Sequence, residues 1–151
     1  MRALVQRVSK GKVTVDAENY SAEIEKGLVI LLGIKETDSE DDVFFVADKC
    51  CNLRIFDDGS GKMNLSVNDV GGQILIVSQF TLYGNTRKGN RPSFVDAAKP
   101  EKAEKYYEMF VARLQTNLGD ENVKTGVFGA MMNVDIFNDG PVTLLVESRN
   151  T

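Results

Sequence analysis

Histidine is absent from the 151-residue sequence. The chain therefore cannot assemble a Ser-His-Asp triad, a Cys-His nucleophile pair or a histidine-ligated zinc site from its own residues. Any catalysis must use other means.

Cysteine is nearly absent too, and long apolar runs are missing. Cys50 and Cys51 are neighbours in a helical pattern, which argues against a disulfide framework and favours a reducing compartment. The longest apolar run, residues 27–34, falls short of the ~20 residues that span a bilayer, and the N-terminus begins a strand pattern instead of a signal peptide. With 42% hydrophobic residues, we expect one soluble, cytoplasmic domain over residues 1–151, without a membrane partner.

Hydrophobic periodicity predicts strands interrupted by two helices. A capping-box spacing at Thr37 and Glu40 predicts one helix start, and Pro100 opens a second helix that Gly119 ends. We expect a hairpin at residues 9–11 and a Gly-Pro turn before the last strand. The predicted strands are residues 3–8, 12–16, 21–25, 28–34, 63–67, 73–77, 123–128, 131–137 and 142–146.

Polar groups follow the apolar strand 73–77 directly, as Ser78, Gln79 and Thr81 around Phe80. Hydroxyls, an amide and free backbone N–H groups at the edge of a core are typical of active sites, although ordinary strand-end polarity explains the same pattern. The only basic run, residues 85–94, comes next. In a chain of net charge -4 it indicates a local phosphate contact or a solvated loop.

The Gly-Pro segment, which we define as residues 138–143, separates two apolar runs. Gly140-Pro141 is a context in which a cis peptide bond costs little, and such a turn would present bare backbone to a ligand. The alternative is an ordinary proline-bearing β-turn. Arg7 lies on the apolar face of the first strand, where it is either a snorkelling residue or a group that holds a loop through its carbonyls.

Together these motifs closely resemble the D-aminoacyl-tRNA deacylase family. The resemblance runs from Met1 over essentially the whole chain, and small departures at residues 11–12 and Asn85 touch no motif assigned to chemistry. The segments that carry it are residues 78–82, 86–89 with 91–92, 48–49 with 52–56, 61–67 and 138–143.

The resemblance implies a homodimeric editing enzyme of mixed α/β fold. We expect a strongly curved, barrel-like, mostly antiparallel sheet flanked by two helices, and hydrolysis of the ester between a D-amino acid, or glycine mischarged on tRNA-Ala, and the 3′-terminal adenosine of tRNA. The Gly-Pro bond would be cis and would enter the partner subunit's pocket. The resemblance brings no cofactor and no metal.

The resemblance implies catalytic, substrate-binding and tRNA-binding roles for three groups of residues. The catalytic segment is Ser78, Gln79, Phe80 and Thr81. The substrate-binding residues are Gly140, Pro141, Arg7, Met132 and Asn138. The tRNA-binding residues are Arg87, Lys88 and Arg91.

Alternatives remain open for both the mechanism and the function. Backbone N–H groups of residues 79–81 would stabilise an oxyanion while the tRNA 2′-hydroxyl assists water, or Thr81 would act as a covalent nucleophile. A dimeric RNA-binding module without catalysis is a second function, and a thiol enzyme using Cys50 or Cys51 is a third, which their apolar helical setting disfavours.

Overall fold

A six-stranded mixed sheet forms the centre of the computed structural model, which describes residues 1–149. Its order is β2-β1-β3-β6-β7, with β8 on the other edge of β1. Pairing is antiparallel around β1 and parallel from β3 to β6 to β7. The six strands are β1 (Arg2–Val15), β2 (Tyr20–Ile24), β3 (Gly27–Gly33), β6 (Gln73–Ser78), β7 (Val123–Thr125) and β8 (Asn133–Glu147); β4 (Phe56–Asp57) and β5 (Met63–Leu65) form a separate hairpin.

The sheet curves until its two ends meet. The Tyr20 hydroxyl of β2 donates a hydrogen bond to the Thr125 carbonyl of β7 at 2.7 Å, which joins strands at opposite ends of the order. This closure confirms the predicted barrel-like, mostly antiparallel sheet.

Both faces of the sheet are buried, so central strands are apolar throughout. In β3, Leu28 and Ile30 face the helices, whereas Val29 packs in a second core inside the curve. The helices that cover the outer face are α1 (Glu40–Asn52) and α2 (Pro100–Leu118).

The predicted hairpin at residues 9–11 is wrong, because β1 continues from Arg2 to Val15. A register irregularity between Val8 and Lys10 takes the place of the turn. The extra residue shifts the strand's alternation, so that Val5 belongs to the outer core and Val13 to the inner core. One long strand thereby contributes to both cores.

Helix α1 begins two residues later than predicted. Its N-cap is Ser39, whose hydroxyl accepts from the Asp42 N–H while the Asp42 carboxylate accepts from the Ser39 N–H. The capping box therefore lies at Ser39 and Asp42 instead of Thr37 and Glu40. Helix α2 begins at Pro100 and ends at Gly119 as predicted. None of the helices described in residues 1–149 is long and apolar enough to cross a membrane.

The C-terminal strands also differ from the prediction. Strand β7 stops at Thr125 instead of residue 128, so residues 126–132 are free to form a loop. Residues on both sides of the Gly-Pro segment pair with β1, which makes β8 a single strand. The predicted turn between two separate strands is wrong: residues 139–142 bulge out opposite Arg7, between the pairs Gln6 with Thr143 and Val8 with Asn138.

Candidate active site

The segment that follows β6 lies at the end of the parallel strands. The Gln79 N–H donates to the Leu32 carbonyl at 2.7 Å, which extends the β3-β6 ladder past Ser78. The chain then turns into a short 3₁₀ helix, Phe80–Tyr83. Ser78 and Gln79 are half-buried, and the Phe80 side chain is 58% exposed.

Two successive backbone donors at this turn have no partner. Neither the Phe80 N–H nor the Thr81 N–H donates a hydrogen bond to another residue among positions 1–149, as expected for the start of a helical turn. The Gln79 side-chain amide donates to the Thr81 hydroxyl. The Thr81 hydroxyl therefore accepts from an amide, and no basic side chain in the described part of the chain hydrogen-bonds to it.

A cavity of about 510 Å³ opens beside this turn, and we call it the main cavity. The Phe80 and Phe94 rings meet there edge to face, with centroids 5.2 Å apart. Lys99 is the only charged residue among the described residues that line it. The lining consists of Leu32, Ile34, Ser78, Gln79, Phe80, Phe94, Ala97, Ala98, Lys99, Pro100, Ala103, Phe128 and Gly129.

The buried Arg7 side chain binds the Gly-Pro segment through a main-chain carbonyl. The residue is 7% exposed; Nε donates to the Asp139 carbonyl at 3.1 Å, and Nη1 donates to the Ile55 carbonyl at 2.8 Å. The carboxylates of Asp57 and Asp139 lie 3.7 and 3.5 Å from the guanidinium and balance its charge. One buried cation therefore connects the β4-β5 hairpin to the bulge of β8.

Asn138 fixes the bulge from within. Its side-chain oxygen accepts from the Val142 N–H at 3.0 Å, and its amide donates to the Thr143 hydroxyl at 2.8 Å. The Gly140-Pro141 peptide bond is cis, and Gly140 has a φ of 130°, a conformation that L side chains rarely adopt. Gly140 and Pro141 are exposed, so the segment presents main chain to the outside.

The predicted site residues fall into separate places within one chain. Ser78, Gln79 and Phe80 line the main cavity, whereas none of its described lining residues comes from β8. Met132 is half-buried against the inner core and belongs to the loop before β8.

The predicted tRNA-binding residues occupy the tip of an exposed loop, residues 85–94, which we call the basic loop. Backbone hydrogen bonds of 2.7 and 3.0 Å between Asn85 and Ser93 close its base. Arg87, Lys88 and Arg91 are exposed, and none forms an ion pair with another residue in the range 1–149. The loop thus carries three unneutralised cations.

Sequence reasoning missed three residues that line the main cavity. Phe94 is the last residue of the basic loop, Lys99 directly precedes α2, and Phe128 lies in a segment predicted as strand. Phe94 is the last residue of the basic run, and Phe128 lies between Gly126 and Gly129, which were the available signal for a loop.

The thiols of Cys50 and Cys51 are poor nucleophiles in their buried setting. Burial raises the pKa of the Cys50 thiol far above its ordinary value and also raises that of Cys51, so both stay protonated at neutral pH. Among residues 1–149, no three His, Cys, Asp or Glu side chains converge to hold a metal ion.

Comparisons with known proteins agree with the sequence motifs. The model of the D-Tyr-tRNA(Tyr) deacylase family matches residues 4–147. A D-aminoacyl-tRNA deacylase of Anoxybacillus flavithermus is 57% identical over 149 residues, which cover 99% of this chain and 100% of the relative.

Two solved structures share the fold. One described as "c-Myc DNA Unwinding Element Binding Protein" has a TM-score of 0.92 and 43% identity, covering 98% of this chain and 99% of its own. Another, described as a probable eukaryotic D-amino acid tRNA deacylase, has a TM-score of 0.84 at 18% identity over 97% of this chain and 98% of its own.

Proposed function

The chain belongs to the D-Tyr-tRNA(Tyr) deacylase family, enzymes that hydrolyse an aminoacyl-tRNA ester, and we propose that it removes D-amino acids, and glycine mischarged on tRNA-Ala, from tRNA in the cytoplasm. The observation that carries this proposal is the pair of N–H groups, at Phe80 and Thr81, that have no partner within residues 1–149 and lie beside an aromatic cavity.

The main cavity suits the 3′-terminal adenosine of tRNA. Aromatic side chains such as Phe80, Phe94 and Phe128 are the usual partners of unstacked bases, and base stacking contributes about 1–3 kcal/mol per base. With the base in the cavity, the ester would lie at its rim beside residues 78–81.

The two N–H groups supply the catalytic stabilisation. As water attacks the ester carbonyl, its oxygen becomes an oxyanion that Phe80 and Thr81 N–H can receive, and one such donor is typically worth about 3 kcal/mol. The aminoacyl ester is already activated, so positioning and electrostatics suffice, and the neighbouring 2′-hydroxyl of the tRNA assists the water.

A covalent role for Thr81 is the competing mechanism. Its hydroxyl contacts the Gln79 amide, which cannot accept the proton that a nucleophilic hydroxyl must lose. Thr81→Ala should therefore retain most of the activity, measured as kcat on D-tyrosyl-tRNA. A loss of several hundredfold would contradict the RNA-assisted mechanism.

We further propose that the enzyme is a homodimer in which each Gly-Pro segment enters the partner's main cavity. Strand β8 is an edge strand of 15 residues, and Phe137, Leu144 and Leu145 on it are 57%, 39% and 51% exposed, with the exposed Met131 just before its start. A long apolar edge of this kind is a ready surface for a second copy.

The Gly-Pro segment would then select chirality with main chain. Backbone carbonyls receive the substrate's α-amino group and leave no room for the Cβ of an L-residue, whereas a D side chain points outward. A thousandfold rejection needs only about 4 kcal/mol, which a stiff slot can supply by steric clash. Glycine has no Cβ to exclude, which accounts for glycyl-tRNA as a substrate.

The test compares D-tyrosyl-tRNA and L-tyrosyl-tRNA as substrates of the wild-type protein, Gly140→Ala and Gly61→Ala. An added methyl at Gly140 lies 3.1 Å from the Arg7 guanidinium and 2.8 Å from the Val142 side chain, whereas Gly61 shares a positive φ but has open space around it. We expect D-selective release that Gly140→Ala loses and Gly61→Ala keeps. Binding of tRNA without release would instead indicate an RNA-binding module.

A further inference from the structure

We propose that a second, polar pocket formed by Arg2, Lys35 and Arg87 binds a backbone phosphate of the single-stranded 3′ end of the tRNA. This inference rests on the proposed function, because it concerns the nucleotides that precede the terminal adenosine. The pocket has a volume of about 230 Å³, and we call it the phosphate pocket.

Three cations converge on this pocket from distant parts of the chain. Arg2 begins β1, Lys35 follows β3, and Arg87 belongs to the basic loop. Lys35 and Arg87 have no ion-pair partner in the described range 1–149. In a chain of net charge -4, unneutralised cations gathered around one concavity favour an anionic ligand.

Arg2 is held in place for such a role. Its Nε donates to the Glu147 carboxylate at 2.8 Å, and Nη1 donates to the Leu82 carbonyl at 2.9 Å. The guanidinium also stacks on the Tyr83 ring, 4.7 Å from its centroid. These contacts use two of the five N–H donors and leave three in a fixed orientation, which suits a phosphate oxygen.

The carboxylates described at the pocket offset only part of its positive charge. Asp96 is the only acidic residue among those described that line it, and Glu147 neutralises part of the Arg2 charge. Tyr83 also lines the pocket, and its buried hydroxyl has no hydrogen-bond partner among residues 1–149. Burial raises the pKa of Tyr83, so the hydroxyl is protonated and available as a donor at neutral pH.

The phosphate pocket lies next to the main cavity. Ile34 and Ala97 line the main cavity, while their neighbours Lys35 and Asp96 line the phosphate pocket. Lys35 and Ala97 form an antiparallel bridge, so the two concavities flank the same pair of chain segments. A strand whose last base occupies the main cavity passes this bridge, which brings a preceding phosphate within reach of the three cations.

The test measures kcat/KM against salt concentration for two substrates that differ in phosphate. D-tyrosyl-tRNA carries the backbone phosphates, and 3′-O-D-tyrosyladenosine carries none. Lys35→Gln removes an ammonium that forms no ion pair within residues 1–149 and keeps the backbone N–H that donates to the Asp38 carboxylate, and Lys35→Arg keeps the charge. Lys62→Gln, in the turn between β4 and β5, serves as the matched control.

A lost phosphate contact should reduce the slope of log kcat/KM against log salt by about 0.7 in Lys35→Gln, or about fivefold at 0.1 M salt. The loss should appear in KM and not in kcat, should be absent with 3′-O-D-tyrosyladenosine, and should be restored in Lys35→Arg. Lys62→Gln should match the wild type.

Two outcomes would overturn the proposed phosphate contact, and a third would refute the proposed deacylase function. An unchanged salt slope in Lys35→Gln would exclude the phosphate contact. An equal loss on both substrates would show that Lys35 acts on the fold instead. A wild-type protein inactive on both substrates would refute the proposed function and not only this pocket.

Discussion

Replacing Arg7 with lysine should lower both the stability of the protein and its discrimination between D- and L-aminoacyl-tRNA. The guanidinium bonds two carbonyls, at Ile55 and Asp139, from a buried position. A lysine ammonium keeps the charge but reaches only one of them, because it lacks the planar fork. Hydrogen bonds to charged groups contribute about 1.5–3 kcal/mol each, so Arg7→Lys should lower the free energy of unfolding by about that amount.

The same loss loosens the bulge that carries Gly140 and Pro141. A slot that rejects L-residues by fit must be stiff, so we expect the ratio of kcat/KM for D- over L-tyrosyl-tRNA to fall at least about tenfold, or 1.4 kcal/mol. Urea unfolding measures the first effect, and initial rates on the two substrates measure the second.

Arg54→Lys is the matched control for this prediction. Arg54 also donates to a backbone carbonyl, that of Asn64 at 3.0 Å, but it is exposed and lies outside the Gly-Pro segment. Arg54→Lys should lower the free energy of unfolding by less than about 1 kcal/mol. It should leave the ratio of kcat/KM for D- over L-tyrosyl-tRNA unchanged. An Arg7→Lys protein that is destabilised by the expected amount yet keeps the wild-type ratio would refute a role of Arg7 in stereoselection.

Three further predictions follow from the site and its surroundings. Phe80→Pro lacks the backbone N–H that Phe80→Ala keeps. Its kcat should therefore be about 10²–10³-fold lower than that of Phe80→Ala, and equal kcat values would exclude the Phe80 N–H as an oxyanion donor. Leu145→Glu places a charge on the apolar edge of β8 and should give monomers without deacylase activity in light scattering and activity assays; an active monomer would refute the shared site. Arg113 lowers the pKa of Asp48 by hydrogen bonding, so this pair's stabilisation is complete above the ordinary value of 3.8 and is lost as the pH falls below it. In Asp48→Asn, the free energy of unfolding from urea titrations should fall less steeply at acid pH. The difference from the wild type should be under about 1 kcal/mol, because the pair is partly exposed, and an unchanged fall would contradict this role of the pair.

The sequence predicted best those features that depend on neighbouring residues. The apolar run of β6 followed by Ser78 and Gln79 has a local cause, a buried strand that reaches the sheet edge, and both residues line the main cavity. Helix α2 was equally clear, because Pro100 starts it and Gly119 ends it.

The errors came from long-range pairing. Residues 9–11 and 138–143 contain turn residues, and both were interpreted as turns that separate two strands. In the structure β1 and β8 run past these points because each is the other's partner over its whole length, which turns two expected turns into two bulges. Phe128 and Lys99 are far apart in sequence, so only the folded chain shows that they share a cavity with Phe80.

Arg7 contacts Ile55 as well as the bulge, and this has a consequence for natural and engineered variants. A substitution that shifts the β4-β5 hairpin moves the Ile55 carbonyl, and the guanidinium transmits that shift to Asp139. Under the proposed role of the Gly-Pro segment, substitutions at Ile55 or Asp57 that move this carbonyl should relax the stereochemical preference, although the hairpin contributes no residue to the described lining of the main cavity.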